Sequence, residues 1–114
     1  MIREVRFSVA ARKDIDEYAD YIGVDSPEAA RRFLDAAETT QEKLRRFPFF
    51  GAELKLKRPG LPGLRRWRIS GFPRHLFVYV VRNGRVDVLC VTHAARDLPR
   101  ALRIMLRDPE AHEF

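Results

Sequence analysis

Residues 64–93 read LRRWRISGFPRHLFVYVVRNGRVDVLCVTH. Three β-like runs are packed into this stretch. LRRWRIS (64–70) alternates, setting Leu64, Arg66 and Arg68 on one side and Arg65, Trp67 and Ile69 on the other. HLFVYVV (75–81) is nearly continuous apolar sequence, and GFPR before it marks a turn. RNGR (82–85) contains Asn-Gly, which favours a two-residue hairpin because both residues tolerate positive φ. VDVLCVTH (86–93) is then the returning strand, with the Val and Leu density of a strand buried on both faces. The stretch predicts an antiparallel meander, and the remaining residues are read as what covers it.

Upstream, IREVRFS (2–8) alternates as a short strand, and Ser8 offers a helix N-cap. Ile15, Tyr18, Ala19 and Ile22 recur at helical spacing up to Gly23, read as a C-cap. Ser26-Pro27 starts a second helix whose apolar face runs through Ala30, Phe33, Ala37, Leu44 and Phe47 to Pro48. So short a connection predicts an antiparallel helical hairpin. AELKLKR (52–58) alternates as an edge strand, with PGLPG as a loop after it. A last helix in AARDLPRALRIMLRD is interrupted early by Pro99. The order β-α-α-β-β-β, with a short C-terminal helix, predicts an α+β domain: an N-terminal strand and a helical hairpin packed on one face of a mainly antiparallel sheet. The opposite face is left for a site. A chain of 114 residues holds one core, assigned to residues 1–107, with 108–114 as a tail in which His112 has no role.

Composition narrows the class. Hydrophobic residues make up 46% of the chain, which excludes a disordered protein. No apolar run approaches the roughly 20 residues of a membrane span, and MIREVRFSVAARKD has charges where a signal peptide is apolar. The single cysteine, Cys90, excludes an internal disulfide and reads as a small buried hydrophobe. A cytoplasmic protein is expected. The net charge of +6 is concentrated: residues 43–85 hold 12 Lys/Arg against Glu53 alone, whereas residues 1–42 are net −4. Such a patch attracts phosphates or an acidic protein partner.

Several stretches together resemble the RelE/ParE toxin superfamily. VRFSVAARKDIDEYADYI, SPEAARRFLDA and LRRFPFFG look like its helical hairpin, and GLRRWRISGFPRHLFVYVV with VDVLCVTHAARD looks like its strand region. The resemblance covers about residues 3–97 and rests on the order and spacing of loose motifs. It implies the toxin of a bacterial type II toxin–antitoxin pair, a growth inhibitor silenced by a cognate antitoxin in a hetero-oligomer. GFPRHLFVYVV…VTHAARD looks closer to the ParE side, which implies DNA gyrase as target and no nuclease activity. The RelE side implies a ribosome-dependent mRNA endoribonuclease. Neither branch implies a metal or cofactor.

Metal-free RNA cleavage needs a base, an acid and cations around the phosphorus. His93 is the natural acid, Glu53 is available as base and Arg66 as a charge stabiliser. For binding a target or nucleic acid, the candidates are Lys55, Lys57, Arg58, Arg65, Arg66, Arg68, Arg74 and Arg96, arginine being favoured for its bidentate fork. Each has a plainer reading. His93 at a strand–helix junction serves equally to cap the helix or bond the backbone, Glu53 as a surface counter-charge, and Arg96 with Asp97 as a local pair. Tyr79 and Trp67 serve as stacking platforms or as core. The arginines at 65, 66 and 68 are least well explained by structure alone. The chain lacks the C-terminal His-Tyr of some RNA-cleaving relatives, ending instead in EAHEF.

Overall fold

The computed structural model of the chain describes residues 4–55, 62–95 and 97–114. Its elements are β1 (Glu4–Phe7), α1 (Val9–Asp25), α2 (Pro27–Arg46), β2 (Ala52–Glu53), β3 (Leu64–Ile69), β4 (Phe72–Arg82), β5 (Arg85–His93) and α3 (Leu98–Arg107). They form one five-stranded sheet in the order β1-β5-β4-β3-β2, parallel between β1 and β5 and antiparallel elsewhere. This is the predicted α+β architecture, with four strands after the hairpin where the order β-α-α-β-β-β counts three. The meander over 64–93 is its centre, and Val86 to Thr92 are all buried. Asn83 and Gly84 take the positive φ values of 53° and 73° that their turn requires.

Each helix start follows from a side chain. Ser8 is fully buried; its Oγ accepts the Ala11 N–H at 3.0 Å and donates to the Leu89 carbonyl at 2.6 Å, tying α1 to β5. Ser26 caps α2 through the Ala29 N–H, with Pro27 in the first turn. The cap expected at Gly23 is not there. α1 runs through it to Asp25, and Ser26 ends α1 as well as starting α2. A Cβ on Gly23 would lie 3.4 Å from that of Ala30, so the glycine serves close packing inside the hairpin.

Pro99 likewise begins α3 instead of interrupting a longer helix: it sits in the first turn, and Asp97 caps the helix through the Arg100 N–H. Of the strand expected over 52–58, Ala52–Glu53 forms a ladder and Leu54 adds one bond to the Leu64 carbonyl; residues 56–61 lie outside the described residues.

The sheet is apolar on both faces. Against α1 and α2 lie Phe77, Tyr79, Val86, Val88 and Val91, with Phe33 and Leu44 from α2. Against α3 lie Leu64, Val78, Val80, Leu89 and Cys90, with Leu102 and Met105. The second face is therefore only partly open, because α3 covers its β5 side. Residues 108–114 also fold back: Val9 and Ala10 donate to the carbonyls of Glu113 and Ala111 at 2.7 Å, and Arg6 and Arg82 approach the Phe114 ring.

Candidate functional site

β3 divides its arginines between the faces. Arg66 and Arg68 lie opposite Val78 and Leu76, and residues directly opposite share a face, so both project on the α3 side beyond its cover. Being two residues apart, they stand roughly 6.5 Å from one another. With Ala52, Pro73, Leu76 and Ala94 they line a cleft of about 230 Å³. Both are exposed, and among the described residues neither guanidinium has a hydrogen-bond or ion-pair partner. The cleft thus offers two uncommitted forks over a mostly apolar floor. That combination suits carboxylate or phosphate groups.

Arg65 is used differently. Its Nη1 donates to the carbonyls of Phe49 at 3.2 Å and Gly51 at 2.8 Å, and its guanidinium lies over the Phe49 ring. It holds the segment between α2 and β2. Lys55 is exposed after β2, and Arg74 is exposed on β4, its carbonyl accepting the Ala94 N–H. Lys57, Arg58 and Arg96 lie outside the described residues.

His93 is on the other face. It ends β5 opposite His75, and the two rings meet edge to face at 5.3 Å. Its backbone N–H donates to the Tyr18 hydroxyl, and its Nδ1 accepts the Ala95 N–H at 3.1 Å. His93 thus closes the turn after β5. His75 is packed against Tyr18, Phe33 and Phe72; burial and the neighbouring His93 hold its imidazole below the usual pKa. Glu53 lies opposite Arg65 on β2, three strands from β5, which is about 14 Å across the sheet. The trio of His93, Glu53 and Arg66 is therefore not brought together, since Arg66 faces away from both others.

Tyr79 is fully buried and its hydroxyl accepts the Gly51 N–H at 2.9 Å, so it is core and no stacking platform. Cys90 is buried and its thiol is pushed up to about 12, which keeps it protonated. A larger cavity of about 430 Å³ between α1 and α3 is lined by Asp14, Glu17, Thr92 and Ile104 among others, and holds none of the predicted site residues.

Two features escape the sequence reading. Asp87, inside the apolar run of β5, is fully buried and takes Nε bonds from Arg82 (2.7 Å), Arg85 (3.2 Å) and Arg6 (3.3 Å). Burial alone would raise its carboxyl, but these arginines hold it below the ordinary carboxylate range. A lone Asp amid Val and Leu was the available signal. The second is FPFF (47–50), whose phenylalanines are exposed instead of ending the apolar stripe of α2.

Comparison with known proteins adds to this geometry. A family model described as the ParE toxin of a type II toxin–antitoxin system, parDE, matches residues 5–98. A chain from a chromosomal ParDE toxin–antitoxin system of P. aeruginosa superposes with a TM-score of 0.65. At 17% identity, covering 81% of this chain and 96% of that one, it is a likeness of fold. No curated protein sequence matches.

Proposed function

Because this chain belongs to the ParE toxin family of type II toxin–antitoxin systems, we propose that it inhibits growth by binding DNA gyrase and is neutralised by a cognate antitoxin. The observation that carries the reading is the pair of uncommitted guanidiniums, Arg66 and Arg68, over their cleft on the partly open face. A cationic face with an apolar floor is a contact surface. Acid–base chemistry on RNA would need an acid and a base on that same face, and His93 and Glu53 are on the other. The proposed action is therefore by contact, with acidic groups of gyrase, or phosphates of its DNA, meeting Arg66 and Arg68.

An antitoxin segment with an apolar, acidic side fits the same surface and would compete for it, giving a hetero-oligomer in which the toxin is silent. Gyrase as target places the action in the cytoplasm; no described helix is long and apolar enough to cross a membrane. The test is a supercoiling assay with purified protein. Inhibition that rises with toxin and is relieved by antitoxin is expected, and unchanged gyrase activity at saturating toxin would refute the reading.

A further inference from the structure

The segment between α2 and β2 carries its own surface, on the opposite side of β3 from Arg66 and Arg68. Phe47, Phe49 and Phe50 are 50%, 58% and 71% exposed, an unusual concentration of solvent-exposed aromatic area within four residues. Their arrangement differs from that of the core rings. In the core, Phe7–Phe77 and Phe33–Phe72 meet at 89° and 90°. At the surface, Phe47–Phe50 and Phe50–Trp67 meet at 28° and 38°, with centroids 5.3 and 5.4 Å apart. Phe47, Phe50 and Trp67 therefore form a short ladder of rings, the first pair stacked and the second tilted, face-to-face in character where the core pairs meet edge-on. Cations border it. The guanidinium of Arg65 lies 5.4 Å from the Phe49 ring centroid, and Arg46 is 66% exposed one residue before Phe47. Glu42 contacts Arg45 and Arg46 at 3.5 and 3.7 Å, but exposed pairs of this kind are weak and readily exchanged.

We propose that this ladder is a binding site for single-stranded nucleic acid. Bases would continue the stack of Phe47, Phe50 and Trp67, while phosphates meet Arg46 and Arg65. Flat rings beside cations are what an unpaired strand recognises without regard to sequence. A duplex does not fit, because its bases already stack on one another and present no free faces. An acidic polypeptide would satisfy the charge, but its aliphatic anchors cannot continue a stack of rings as a planar base does. The site is separate from the face assigned to gyrase, so a failed supercoiling test leaves it standing, and its own failure leaves the gyrase reading untouched.

Trp67 is the only tryptophan in the chain and reports on the ladder directly. The purified full chain is titrated with an oligothymidylate of about twelve nucleotides, within the range of site sizes for such platforms. Saturable quenching of Trp67 is expected, weakening as salt is raised. Phe50→Ala should raise Kd about tenfold, in line with the loss of one base–aromatic stack. Phe50→Leu should lose as much, and Phe50→Tyr should restore binding. Phe50 is too exposed to decide the fold, and unchanged melting curves verify this. The proposal is overturned by absence of quenching at low salt, by equal affinity for a duplex of the same length, or by Phe50→Leu binding as well as the native chain. Quenching by poly-L-glutamate in place of the oligonucleotide would also overturn it, and would assign the ladder to an acidic polypeptide.

Discussion

At Gly51 the chain passes so close to β3 and β4 that no side chain fits: a Cβ there would collide with the Tyr79 hydroxyl and lie 2.7 Å from the Arg66 carbonyl. The same approach lets the Gly51 N–H bond the Tyr79 hydroxyl, and lets Arg65 take the Gly51 carbonyl. Three residues distant in sequence thus lock one crossing. Gly51→Ala is expected to destabilise by about 1–3 kcal/mol, the range for overpacking, since a backbone carbonyl cannot swing aside. Tyr79→Phe keeps the ring but strands a buried N–H, and should cost about 1–2 kcal/mol. Urea midpoints measure both, and a Tyr79→Phe midpoint equal to that of the native chain would show the bond to be dispensable. Asp87 makes a prediction of opposite character, in pH. Its three arginines hold the carboxyl below its ordinary value of 3.8, so on acidification the unfolded chain takes up this proton first. The stability that Asp87 contributes is complete above that value and is lost as pH falls through the lower folded-state value. Asp87→Asn should remove this part of the acid sensitivity, read as a shallower fall of melting temperature between pH 5 and pH 2.

The helical hairpin is held to the sheet through a cluster that includes an imidazole. His75 of β4 meets Tyr18 of α1, Phe33 of α2 and His93 of β5, and its Nδ1 is buried without a partner among the described residues. Burial and the facing His93 lower its pKa from 6.5, so the folded protein keeps it neutral where the unfolded chain would already be protonated. Stability should therefore decline as pH falls from about 6.5 through the folded-state value. His75→Phe, which retains the ring contacts, should remove that decline, and an unchanged difference in urea midpoint between pH 7 and pH 5 would disprove it. These contacts show why some elements were legible in the sequence and others were not. Ser26-Pro27 and Asn83-Gly84 act on backbone within three residues of themselves, so their meaning is local and reads correctly. Gly23 and Pro99 have two possible meanings each. A glycine both ends helices and lets helices approach; a proline both breaks helices and begins them. Only Ala30 opposite Gly23, and the Asp97 cap before Pro99, decide which applies. Among the described residues the β2 ladder stops at Glu53 although alternation continues through Leu54, because the ladder depends on what β3 offers opposite.

For the whole molecule the decisive fact is that one strand serves two faces. The charge segregation of residues 43–85 was plain in the sequence, and so was the candidacy of Arg66 and Arg68. The relation of His93 to them was not. Alternation along β5 is interrupted by a bulge where Val78 pairs with Cys90 but Tyr79 with Val88, and that extra residue sends His93 to the hairpin side. Counting by twos from Val86 puts it on the wrong face. The bulge thus separates the histidine from the arginines, and this separation yields a test at the scale of the whole protein. If action is by contact through the partly open face, Arg66→Ala with Arg68→Ala should weaken gyrase inhibition by about tenfold, the sum of two modest charge contacts. The effect should shrink at high salt, where such contacts are screened in the native chain as well. Among the described residues His93→Ala removes the ring contact to His75 and the turn bond to Ala95, so it should lower the melting temperature while leaving inhibition per folded molecule within about twofold. The supercoiling assay decides between the two faces: a large loss from His93→Ala with the arginine pair silent would move the functional surface to the hairpin side of the sheet.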